Sequence, residues 1–107
     1  MKETIKAYSK SQLRQTGIRF SDYSFMKEEG TFRAVMDYKG WGNGCLTGYF
    51  TFDDGRKIFA SAFQDRNYLG LTDIPMGVAV ELTFKKAKTN DNVYLRRVTL
   101  LDEQPAA

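Results

Sequence analysis

The sequence predicts an all-β fold with small α content. Three observations predict it. From residue 31 onward apolar and polar residues alternate at period two, as strands buried on one face require. The alternating runs are short and are separated by turn signals such as "KEEG", "DDG" and "AKTNDN". Residues 39–63 hold one Trp, one Tyr and four Phe, more rings than one small sheet face needs for its core.

The 107 residues, 42% hydrophobic and 27% charged, fit one globular domain. The expected division is an N-terminal helix or arm over 1–17, a single β domain over 18–103 and a polar tail over 104–107. "SKSQLRQTG" (9–17) reads as a short helix, capped at Ser9 or Ser11 and ended by Gly17. Lys2, Lys6, Lys10 and Arg14 recur every four residues, a stripe that also serves as a plain solvated face. "IRFSDYSFM" (18–26) reads as a strand. "TFRAVMDY" (31–38) sets Phe32, Ala34, Met36 and Tyr38 against Arg33, Val35 and Asp37. "KGWGNG" (39–44) reads as a glycine loop around Trp41, followed by a strand "CLTGYFTF" (45–52) and a strand "RKIFASAF" (56–63). Residues 64–77 read as irregular or as one short helix. "VAVELTFKK" (78–86) alternates cleanly, with Val78, Val80, Leu82 and Phe84 on one face. In "VYLRRVTLL" (93–101), bringing Leu95, Val98 and Leu100 inward needs an extra residue at Arg96-Arg97, the mark of a β-bulge.

The absence of histidine removes Ser-His-Asp and Cys-His nucleophile systems. With one cysteine, Cys45, there is no internal disulfide and no usual zinc site; Cys45 reads as a small buried hydrophobe. No run approaches the length of a membrane span and the N-terminus lacks an apolar signal core, so the expectation is a cytoplasmic protein. "GWGNG" lacks the spacing and following helix of a phosphate-cradling loop. Asp53-Asp54-Gly55 reads as turn chemistry, not a metal pair. Glu81 and Lys85 share a strand face, which strand periodicity explains without a nuclease site. The chain therefore reads as a non-enzyme without metal or cofactor. Its net charge of +3 leans toward polyanions.

Three strands in meander, a connector and a closing hairpin resemble the OB-fold, an antiparallel barrel of five to six strands here. The resemblance rests on strand spacing, "IPMGVAVELTF" and "VYLRRVTLL", and covers residues 31–101. Small single-stranded-DNA-binding proteins of phages and plasmids are similar in size and strand layout. The resemblance implies a binding face on the outer side of the second and third meander strands. The acidic, Phe-ended tail of bacterial single-stranded-DNA-binding proteins is absent here.

The register of the 45–63 hairpin decides which rings face out, because a one-residue slip flips every side chain. A two-residue turn at Asp54-Gly55 puts Phe50 opposite Phe59. A three-residue loop at Asp53–Gly55, with glycine in its left-handed position, puts Phe50 opposite Ile58. The second register separates the residues better. It makes one face of Leu46, Gly48, Phe50, Phe52, Ile58, Ala60 and Ala62, and another of Thr47, Tyr49, Thr51, Lys57, Phe59, Ser61 and Phe63. Tyr49, Phe59 and Phe63, with Trp41, are then left without an interior role.

Two uses of those rings remain open. They stack the bases of single-stranded nucleic acid, DNA before RNA, with Lys39, Lys57, Arg66, Lys85, Lys86, Lys88 and Arg96 on phosphates. Alternatively they pack under Ile18, Phe20, Tyr23 and Phe25, or form a homodimer or protein-docking face.

Overall fold

The alternation over 31–38 is part of a longer strand than the sequence predicts. In the computed structural model, which describes residues 17, 19–42 and 44–101, strand β2 runs Gly30–Gly42. Around it are β1 (Ser24–Phe25), β3 (Cys45–Phe52), β4 (Lys57–Phe63), β5 (Ala79–Lys86) and β6 (Val93–Leu100). They form one sheet in the order β1-β4-β3-β2-β5-β6. The ladders are antiparallel except for β1 on β4, which is parallel. Most of the helix expected over 9–17, its basic stripe and the 104–107 tail lie outside the described residues.

β2 is shared by two ladders, pairing β3 from Ala34 onward and β5 from Gly30 to Val35. A bulge between Met36 and Tyr38 lets it bend where it passes from one to the other. The sheet curls enough to bring β6 back against β4. No ladder joins them among the described residues. The fold is all-β, but the antiparallel barrel expected from sequence is seen as a mixed sheet open along β4 and β6. β1 occupies part of the β4 edge instead, at Ile58 and Phe59.

Two elements and one side chain differ from expectation. Residues 18–26 are not one strand: a 3₁₀ turn at Phe20–Asp22 precedes the two residues of β1. The Asp22 N–H donates to the Arg19 carbonyl at 2.9 Å, which closes that turn. The glycine loop 39–44 is largely strand, because Lys39, Gly40, Trp41 and Gly42 ladder with Gly48, Thr47, Leu46 and Cys45. β2 ends at Gly42 and β3 begins at Cys45, with Gly44 before it at φ +76°. Cys45 is only half-buried and its Sγ donates to the Gly42 carbonyl at 3.0 Å.

The three-residue hairpin register is the one observed, with Phe50 opposite Ile58 and Tyr49 opposite Phe59. The Phe52 N–H donates to the Arg56 carbonyl, and Gly55 takes φ +93°. All seven residues expected to face inward are buried, and they join Ala34, Met36, Val80, Leu82, Phe84 and Leu95 in the core. Gly48 is required there: a Cβ would stand 2.5 Å from the Phe50 ring, which lies over it. The bulge in β6 is also present, between the Thr83–Arg97 and Phe84–Leu95 pairs, leaving Arg96 as the extra residue. Leu100, expected inward, is half exposed at the strand end.

The segment Gln64–Asp73 is a kinked 3₁₀ stretch, not a helix with regular geometry. Asn67, Tyr68, Leu69 and Gly70 all take positive φ, from 51° to 79°. Left-handed backbone costs about 1–2 kcal/mol per non-glycine residue, so packing must hold it. Tyr68 and Leu69 lean on the core, and Leu71 is fully buried.

Candidate nucleic-acid interface

Strand pairing turns the outer face of the sheet into an ordered row of rings. Phe25 on β1 lies opposite Phe59 on β4, Phe59 opposite Tyr49 on β3, and Tyr49 opposite Tyr38 on β2. Directly opposed residues on neighbouring strands have close Cβ atoms, so the four rings form one line across four strands. The Phe25 and Phe59 ring centroids are 4.4 Å apart, and those of Tyr49 and Phe59 6.2 Å. The sequence singled out Tyr49 and Phe59 but missed Phe25 and Tyr38. Their alternation with polar neighbours was visible; their registers were not.

The row is graded in exposure. Tyr49 is half-buried and meets the Tyr23 ring edge-on at 5.3 Å. Burial raises the Tyr49 phenol above its ordinary pKa, with Cys45 adding to the rise. Phe25, at the sheet edge, is 71% exposed, and Phe63, two residues beyond Ser61 on β4, is 51% exposed. The N-terminal segment thus covers Tyr49 while extending the row outward through Phe25.

Tyr23 is held by the bulge in β2. Its hydroxyl donates to Asp37 Oδ2 at 2.8 Å, and Thr51 Oγ1 donates to the same oxygen at 2.6 Å. Burial first, then the Asp37 hydrogen bond and charge, raise the Tyr23 phenol well above its ordinary value. Lys57 places its ammonium 5.5 Å from the Tyr23 ring centre. On the other side of the row, Thr47 and Ser61 share a hydroxyl hydrogen bond of 2.9 Å. The face therefore combines rings, hydroxyls and a lysine.

Trp41 is not part of this row. Its ladder partner is the core residue Leu46, so it belongs to the inner face, at the rim of the sheet. It remains 42% exposed and packs edge-on against Tyr68 at 5.0 Å.

Lys39 is no phosphate contact in this structure. It is 1% exposed, opposite Gly48 on the inner face. Its ammonium donates to the carbonyls of Leu71 at 2.8 Å, Thr72 at 3.1 Å and Ile74 at 2.7 Å. Those oxygens end the strained 3₁₀ stretch, so the lysine closes that segment onto β2. Burial lowers its pKa, with the Asp73 carboxylate opposing. The β2 bulge sends it inside: alternation from Met36 without an extra residue would point position 39 outward.

The other predicted cations are on the surface. Arg66 follows Phe63 at the start of the 3₁₀ stretch, and Lys85, Lys86 and Lys88 lie on the β5–β6 hairpin. Arg96, at the bulge, sets its guanidinium 5.8 Å over the Tyr94 ring. The Asp53–Gly55 turn is occupied by its own chemistry: Asp54 accepts from the Arg56 N–H and guanidinium, which holds the carboxyl below its usual range. The same guanidinium binds Glu28 at 2.7 Å and covers the Phe32 and Phe52 rings.

No helix among the described residues is long and apolar enough to cross a membrane. No protein-family model, curated protein or solved structure matches the chain.

Proposed function

We propose that this protein binds single-stranded nucleic acid with little sequence preference across the outer face of β3 and β4, as a non-catalytic OB-like module. The observation that carries the reading is the in-register row Phe25–Phe59–Tyr49–Tyr38, most exposed at the sheet edge. Every base has a π-face, and a stack on a protein ring is worth about 1–3 kcal/mol. Duplex DNA hides those faces. Lys57 beside the row and Arg66 and Arg96 beyond Phe63 supply cations for the backbone. The meander and returning hairpin support the OB-like reading, with β3 and β4 as the second and third meander strands.

A second reading has one observation in its favour. β4 beyond Phe59 has no second ladder among the described residues, and Phe63 stands exposed beside it. Such an edge with an apolar side chain also suits a homodimer.

Titrating a labelled thymidine oligonucleotide at two salt concentrations tests the two readings. The first predicts salt-sensitive binding that Phe25→Ala weakens several-fold while the far-UV spectrum is unchanged. Absence of binding at low salt, with a salt-insensitive dimer in sedimentation, refutes it in favour of the second.

A further inference from the structure

The open line between β4 and β6 encloses a cavity of about 530 Å³, within the range of about 300–1,000 Å³ typical of ligand pockets. Its floor is core: Ala60, Phe84 and Leu95. One wall carries Phe25, Phe59 and Phe63, and the other carries Tyr94. Asn92, Asp91, Ser61 and Lys27 add polar groups at the edge. We propose that this seam takes one unstacked nucleobase of the bound strand, anchoring the strand at a single position. The inference rests on the strand-binding reading above and goes beyond it, because the row alone treats all bases alike.

The chemistry of the lining matches a base more closely than it matches an apolar side chain. A base is flat, with two π-faces and a polar rim. Rings on opposite walls meet the faces, and the Asn92 carboxamide offers both a donor and an acceptor to the rim. That carboxamide donates to the Tyr94 hydroxyl at 3.4 Å, so the two polar groups line the seam side by side. A smaller cavity of about 200 Å³ continues from the first, sharing Ser61, Phe63, Tyr94 and Leu95, and adds Arg66 and Arg96. A guanidinium suits phosphate better than an ammonium does, through paired N–H donors. Lys27, Arg66 and Arg96 against the one carboxylate of Asp91 make the seam cationic, which favours an anionic strand over a second copy of this basic chain.

Abasic scanning tests this. A thymidine oligonucleotide trimmed to the shortest length that keeps full affinity, so that sliding costs contacts, carries one abasic site at each position in turn. The expected result is one position at which loss of the base weakens binding about ten-fold more than loss of a base stacked on the row does. Asn92→Ala and Tyr94→Leu, both at exposed positions, should flatten that contrast while salt-sensitive binding of the intact strand persists. A uniform scan with the intact strand still bound overturns the pocket and leaves the strand face standing. So does a contrast that survives both substitutions. No binding of the intact strand overturns both. A concentration-dependent dimer that Tyr94→Leu dissolves assigns the seam to a second copy and also overturns the pocket.

Discussion

Replacing Lys39 by Met separates a structural lysine from a phosphate-binding one. Met keeps most of the length and removes the ammonium. Three carbonyls lose their donor: Leu71, Thr72 and Ile74. The Leu71 oxygen keeps the Ile74 N–H at 3.2 Å, so two carbonyls are left unpaired. Each unpaired buried polar group costs about 1–3 kcal/mol, which gives roughly 2–6 kcal/mol in total. Relief from desolvating the charge offsets part of this, so the expected loss is about 2–4 kcal/mol. That is a large share of the 5–15 kcal/mol typical of a small domain. Urea unfolding followed by circular dichroism reads the change as a lower midpoint with the slope retained. Lys39→Arg should also destabilise, because a planar fork does not point three donors at three converging carbonyls. A stability change under about 0.5 kcal/mol, accompanied by weaker oligonucleotide binding, would refute the buried placement.

Two further outcomes follow from the same packing. Gly48→Ala pushes a methyl into the Phe50 ring, so it should destabilise by about 1–3 kcal/mol in thermal or urea unfolding; an unchanged midpoint would mean the ring does not lie over residue 48. The Tyr23 phenol holds its proton more tightly folded than unfolded, so its contribution is intact below the ordinary tyrosine value of about 10 and is lost as pH rises above it. Stability should therefore fall on the alkaline side, and Tyr23→Phe should flatten that fall, leaving the part due to Tyr49. Equal alkaline slopes in the two proteins would contradict the Tyr23–Asp37 anchor.

The hairpin register was legible because its two faces differ so sharply. Only one pairing puts Leu46, Gly48, Phe50, Phe52, Ile58, Ala60 and Ala62 together, and that pairing is observed. The β6 bulge was legible for the same reason, since Leu95 and Val98 cannot face the core without an extra residue. The β2 bulge was not. Nothing local to Asp37 shows that its carboxylate will collect hydroxyls from Tyr23 and Thr51, which are both fourteen residues away. That missed residue reverses the faces of everything after it, so Lys39 goes inside and Trp41 leaves the ring face. The Asn43-Gly44 pair did carry a hairpin signal, and reading it would have extended β2 through the glycines.

The row itself was half legible. Tyr49 and Phe59 follow from the hairpin alone. Phe25 joins them only through a parallel pairing, and Tyr38 only through the bulge, both long-range events. Exposure of the N-terminal segment was likewise beyond sequence. Tyr23 and Phe25 are two residues apart, yet one is buried against Tyr49 and the other projects from the sheet edge.

Photo-cross-linking with an oligonucleotide carrying 5-iododeoxyuridine tests the central claim most directly, because adducts form on rings stacked against the base. Mass spectrometry of the digested complex should find adducts on Phe25, Phe59 or Phe63. Adducts confined to Trp41 and Tyr68, or an oligonucleotide that cross-links nowhere under conditions where it binds, would contradict an outer-face interface.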